Sequence, residues 1–159
     1  MVTEESGEQK LVFDSADYLV NANGLFSKMH QPLYPGINEN FKGKHIHMHN
    51  VRKLEEIKGK KIMVVGAGMG GMDIVWQLIF NYPTNFEQIL YSGNIPHVKK
   101  SQELEESMKS GRLVIKEKIK EFLSDDVVLF QDESTEQTID LIIWATGFNY
   151  KFPYFEEDF

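Results

Sequence analysis

A glycine-rich turn set between an apolar run and a helical pattern constrains this chain more than any other feature. Residues 60–65, built around Ile62-Met63-Val64-Val65, have the length and character of a strand buried on both faces of a parallel sheet. The turn itself is Gly66-Ala67-Gly68-Met69-Gly70-Gly71. From Met69 to about Phe80 the period changes: Met72, Val75, Leu78 and Ile79 fall at helical spacing with Trp76 beside them, and Tyr82-Pro83 closes the segment. Residues 87–92 supply the next strand, which completes a β-α-β unit of about 30 residues.

In this context each glycine of a Gly-x-Gly-x-x-Gly loop has a physical task. Gly66 permits the tight turn, Gly68 lets backbone approach a pyrophosphate, and Gly71 lets the helix pack close to the strand. The helix N-terminus offers free amides and the positive end of its dipole, so residues Gly66, Ala67, Gly68, Met69, Gly70 and Gly71 are the expected dinucleotide contacts. A glycine-rich turn without a ligand is the plainer alternative. An NAD site places Asp or Glu about 20 residues beyond the loop, at the end of the second strand. Here that stretch is Tyr91-Ser92-Gly93-Asn94, with no acid. A 2′-phosphate meets no repulsion there, Ser92 and Asn94 are candidate donors to it, and Lys99 or Lys100 is within plausible reach. NADPH is the expected dinucleotide.

Elsewhere, residues 11–24 have the pattern of a strand ending in a turn, and residues 25–40 that of a loop. Ser101–Ser110 is a short helix ended by Gly111, Leu113–Phe130 a strand pair, and Ile139–Trp144 a last buried strand. One segment recurs. Asp17-Tyr18-Leu19-Val20-Asn21-Ala22-Asn23-Gly24 matches Asp140-Leu141-Ile142-Ile143-Trp144-Ala145-Thr146-Gly147: an acid, three apolar residues, one variable, Ala, a small polar residue, Gly. Either buried strands coincide by chance over eight positions, or each copy closes a dinucleotide-binding domain, of which the second is nearly complete and the first is represented by its last strand.

Bulk properties narrow the remaining classes. The 159 residues are 42% hydrophobic and 26% charged, and the formal charge of −7, without a basic patch, argues against a nucleic-acid partner. The absence of cysteine removes disulfides, thiolate metal sites and a cysteine nucleophile. No apolar run reaches the ~18–20 residues of a membrane span, and the polar, acidic start is neither a signal nor a transit peptide. A cytoplasmic location is the expectation.

Upstream of the loop, Phe41-x-Gly43-x-x-x-His47 resembles the Phe-x-Gly-x-x-x-His fingerprint of the flavin-containing monooxygenases. Pro35-Gly36, Gly71-Met72-Asp73-Ile74 and Trp144-Ala145-Thr146-Gly147-Phe148 are similar to that family's equivalents and stand in its order. Met48 and Val51 depart from it where a Ser and an aromatic are usual, and Asn94 where an Arg is frequent. The resemblance implies an α/β fold: a Rossmann-like domain, its parallel sheet flanked by helices, with a β-rich insertion, from a flavoprotein with two dinucleotide-binding domains. It implies residues 1–40 as the remnant of an FAD-binding domain, 41–147 as the NADPH-binding domain, and 148–159 as the start of a return into the FAD domain. Thr146 and Gly147 join the cofactor-contact set on the same ground. The implied activity uses FAD, NADPH and O2 to oxygenate a small molecule at a nucleophilic nitrogen or sulfur, in partnership with the FAD-binding portion. FAD's own glycine loop is not among these 159 residues. Because a flavin carries such chemistry, no catalytic side chain is expected. The alternative is a non-catalytic NADP-binding module.

Other constellations have plainer readings. His45, His47 and His49 would share one side of a strand, yet no carboxylate sits at a ligand interval, so packing is expected rather than a metal site. Glu105-Glu106, Asp125-Asp126 and Glu156-Glu157 suit a solvated surface. Asp73 is expected in the first helical turn, where a charge–dipole interaction is worth about 0.3–1 kcal/mol.

Overall fold

The computed structural model describes residues 2–3, 9–10, 15–18, 20, 22, 24, 26, 28–52, 57–83, 86–92 and 101–149. Its elements in chain order are β1 (Val2–Thr3), β2 (Gln9–Lys10), β3 (Lys28–Met29), α1 (Ile37–Asn40), β4 (Lys44–His47), a 3-10 turn at Met48–Asn50, β5 (Lys60–Val65) and α2 (Met69–Asn81). There follow β6 (Phe86–Ser92), α3 (Gln102–Lys109), β7 (Leu113–Lys116), β8 (Ile119–Leu123), β9 (Val127–Phe130), β10 (Thr135–Gln137), β11 (Leu141–Trp144) and β12 (Phe148–Asn149).

The centre is a five-stranded parallel sheet in the order β4-β11-β5-β6-β7. Strand β5 sits in the middle because Ile62, Met63, Val64 and Val65 are apolar without alternation and all are buried. Alternate residues serve two different cores. Ile62 and Val64 face α2, meeting Ile74, Val75, Leu78 and Ile79, with Leu104 of α3 in the same cluster. Met63 and Val65 face the other way, toward Ile119, Phe122, Val128 and Phe130 of the antiparallel sheet β10-β9-β8, and toward Ile37 of α1. The fold is thus the expected mixed α/β sheet with a β-rich insertion, and the insertion takes the place of helices on one face.

Helix α3 begins at a side-chain cap. The Ser101 hydroxyl accepts from the Leu104 amide at 3.2 Å, and Gly111, with φ of +74°, ends the helix. Four expectations change. Leu113–Phe130 holds three strands rather than a pair, because β7 pairs in parallel with β6 before the β8–β9 hairpin begins. Residues 25–40 contain β3 and α1. Asp73 lies beyond the first turn, since α2 already starts at Met69. In the segment 11–24, the described residues 15–18, 20, 22 and 24 are exposed and carry no strand; residues 11–14, 19, 21 and 23 lie outside the described set. Tyr18 and Val20 are 90% and 83% exposed, so no sheet among the described residues receives them.

Candidate dinucleotide site

The glycine loop leaves the C-terminal end of β5 at the place where the sheet order reverses. The chain proceeds from β5 outward to β6 and β7, then returns to the other side of β5 as β11. A crevice at such a switch point is the usual ligand position of an open α/β sheet.

The described loop glycines divide by what surrounds them. Gly66 has φ of +128°, and a Cβ there would run into the Ala145 carbonyl. Its amide donates to the Ser92 carbonyl at 3.0 Å, and its own carbonyl accepts from the Tyr91 hydroxyl at 3.0 Å. Burial pushes the Tyr91 phenol up, which keeps it a donor. A Cβ on Gly71 would strike the Gly66 carbonyl, so the helix can lie this close only without a side chain there. Gly68 differs from both. Its φ of −77° is open to any residue, and nothing stands within 4 Å of a Cβ built on it. The fold does not require glycine there, whereas a ligand approaching the backbone would. Met69 is 84% exposed, and while the Gly71 amide turns back to the Gly68 carbonyl at 3.1 Å, the Met69 and Gly70 amides that open the helix have no intrahelical acceptor. The amides, the open side of Gly68 and the dipole of a 13-residue helix together fit a pyrophosphate.

Across the crevice, Thr146 and Gly147 follow β11. The Thr146 hydroxyl donates to the His30 carbonyl. The Gly147 carbonyl accepts from the His30 amide at 2.9 Å and from His47 Nε2 at 2.9 Å. His47 Nδ1 in turn accepts from the His49 amide at 3.2 Å. Both ring nitrogens are therefore satisfied in the neutral tautomer with the proton on Nε2. Burial lowers the His47 pKa, the bond to Gly147 opposes this, and His49 and His30 push the same way as burial.

Of the three alternating histidines, only His45 and His47 share a side of one strand. His47 ends β4, His49 belongs to the following 3-10 turn, and His45 sits with its Nδ1 3.1 Å from the Trp144 indole nitrogen. Phe148 packs edge-on against both His47 and His49.

Ser92 ends β6 as expected but is buried, and its hydroxyl donates to the Glu117 carbonyl at 2.8 Å. Its proton ties β6 to the segment after β7, where the sequence reading has it donate to a 2′-phosphate. Asn94, Lys99 and Lys100 lie outside the described residues. Periodicity gave no sign of one further arrangement: Glu136 of β10 bridges Lys61 and Lys116, each at 2.7 Å, and so joins the insertion to β5 and β7. Burial alone would raise the Glu136 carboxyl, but the two ammonium groups outweigh it and hold it below its ordinary range. Only the three-dimensional return of β10 over the sheet brings those charges together.

Comparison with known proteins accords with this geometry. A flavin-binding monooxygenase-like family model matches residues 1–95 and 80–159. The senecionine N-oxygenase of Tyria jacobaeae is 32% identical over 142 residues, covering 89% of this chain and 29% of that protein. The trimethylamine monooxygenase of Pelagibacter ubique is 29% identical over 149 residues, covering 94% of this chain and 31% of its own length. Among solved structures, Tmm from Pelagibacter sp. strain HTCC7211 superposes with a TM-score of 0.65 at 22% identity, over 84% of this chain and 28% of that one. The chain thus spans about three-tenths of the length of these relatives.

Proposed function

The chain belongs to the flavin-binding monooxygenase-like family, and from that premise we propose that it is the NADPH-binding portion of a flavin-dependent monooxygenase acting on soft nitrogen or sulfur centres. The observation that carries the proposal is Gly68. Among the described glycines it alone combines an ordinary backbone conformation with open space, at a switch-point crevice beside the N-terminus of α2. The absence of an acid at the end of β6 favours the 2′-phosphorylated dinucleotide.

In this reading the Met69 and Gly70 amides that open α2 bind the pyrophosphate, Gly66 and Gly71 hold the loop in register with β11, and Thr146–Gly147 closes the opposite lip. Strands β3 and β12 run antiparallel beside each other, Met29 opposite Phe148, which suits the two crossings between a 41–147 domain and FAD-binding segments on either side. Bound FAD supplies the oxygenation chemistry with NADPH as reductant and O2 as co-substrate. The chain's single Gly-x-Gly-x-x-Gly sits at the NADPH site, so the described residues offer FAD's phosphates no loop of that kind. Relatives named for N-oxygenation of senecionine and for trimethylamine support a nitrogen centre in the substrate.

Titration of the purified chain with NADPH, followed by nicotinamide fluorescence, tests the site. Gly68→Ala leaves the fold intact and weakens binding by about tenfold or more, through crowding of the pyrophosphate alone. Unchanged affinity would move the dinucleotide elsewhere.

A further inference from the structure

We propose that Met48 is a positioning residue for the dinucleotide loop, its thioether filling the space that a side chain at residue 70 would occupy. This rests on the NADPH reading above and adds a residue to that site. A Cβ built on Gly70 lies 2.5 Å from Met48 Sδ and 2.7 Å from Met48 Cε, and among the described residues nothing else beyond its chain neighbours and its own helix backbone stands within 4 Å of it. Gly70 is therefore a glycine of a third kind. Gly66 and Gly71 are confined by backbone carbonyls, which no substitution elsewhere can move aside, and Gly68 faces open space. Gly70 is met by the flexible end of one side chain, so its contact can be exchanged residue for residue.

The anchoring of Met48 gives the contact its consequence. Met48 directly follows His47, whose imidazole is bonded to the Gly147 carbonyl on the far lip of the crevice. The thioether packs against the helix-side core, and the 3-10 turn it opens lies alongside α2. A continuous set of contacts thus runs from Gly147 through His47 and Met48 to Gly70. It fixes how far the first turn of α2 stands from the Thr146–Gly147 edge, and with it where the Met69 and Gly70 amides meet a pyrophosphate. A shorter side chain at 48 leaves the helix start unsupported, whereas a methyl group at 70 displaces the thioether.

A double-substitution cycle on the 159-residue chain tests this, with NADPH affinity and thermal midpoint measured for each variant. Met48→Ala and Gly70→Ala each raise the NADPH Kd by roughly three- to tenfold, and the double variant returns to within about twofold of wild type, because the methyl group introduced at residue 70 occupies the space the thioether vacates. Additive losses in Kd overturn the proposal. Coupling in the thermal midpoint without coupling in Kd also overturns it, since the contact would then be packing only. Should either single variant fail to fold, Met48→Leu, which retains bulk at the contact, takes its place and must keep Kd within about twofold; a larger loss counts against the strut. If the wild-type chain itself binds no NADPH, the functional reading has failed, an outcome distinct from a wild-type chain that binds and variants that do not couple.

Discussion

The two copies of the Asp-to-Gly pattern, Asp17–Gly24 and Asp140–Gly147, meet different fates in the same molecule. In the later copy, Leu141–Trp144 is hydrogen-bonded on both sides, to β4 and to β5, and Leu141, Ile142, Ile143 and Trp144 are all buried. In the earlier copy the described residues are exposed and unpaired in any sheet, Tyr18 and Val20 almost fully so. A pattern of apolar residues specifies the capacity for a buried strand; a neighbouring strand and a facing layer convert it into one. The backbone of a central strand needs partners for its amides and carbonyls on both edges, and an apolar run gains only when something covers it. The later copy has β4, β5, Tyr34 stacked on Trp144, and the β8–β9 hairpin.

The largest effect separates the copies directly. Ile142→Ala, at a residue with no exposure, costs about 2–5 kcal/mol in urea denaturation, whereas Val20→Ala changes stability by less than about 0.5 kcal/mol. Equal costs for both would mean that the earlier copy is packed as a strand after all. An intermediate effect concerns the layer that covers the later copy. Glu136→Gln removes the charge between Lys61 and Lys116 and lowers stability by about 1–2 kcal/mol. Because the Glu136 carboxyl is held below its ordinary value of 4.5, its contribution is present above that pH and is lost as pH falls through the lowered folded-state value. Acid titration of the unfolding free energy shows this loss in the wild type and not in the variant; parallel curves would count against it.

The smallest effect lies at the end of the later copy. His47 titrates below its ordinary 6.5, so its neutral form stabilises the fold above pH 6.5, and that contribution is lost as pH falls through the lowered value. Protonation would place a second proton on Nδ1, facing the His49 amide it now accepts from. His47→Gln removes this slope from the stability profile between about pH 7 and the carboxylate range, and persistence of the slope would assign it to another group.

Much of the candidate site was legible in the order of residues. Gly66 and Gly71 announce a tight turn and a close helix because each task excludes a side chain, and local spacing records that; Gly68 belongs to the same spacing, and its side is open. The Gly111 stop was legible for the same reason: the hydrogen bonds that close a helix end span three or four residues. The Ser92 hydroxyl's partner was not legible, because the Glu117 carbonyl is 25 residues away and comes from a neighbouring strand's end. The triple strand in Leu113–Phe130 was read as a pair because alternation does not say which sheet a strand joins.

By itself, then, the sequence determined the β-α-β unit around Gly66–Gly71, the buried character of β5 and β11, and the family to which the motifs point. Tertiary structure decided that the insertion replaces helices on one face, that Ser92 is held within the fold, that Glu136 bridges two lysines, and that Met48 reaches Gly70. The division follows from range. Backbone turns, caps and periodicity are set by neighbours within a few residues, whereas contacts such as Lys61–Glu136 and His47–Gly147 join groups 75 and 100 positions apart, and only the closed sheet brings those together.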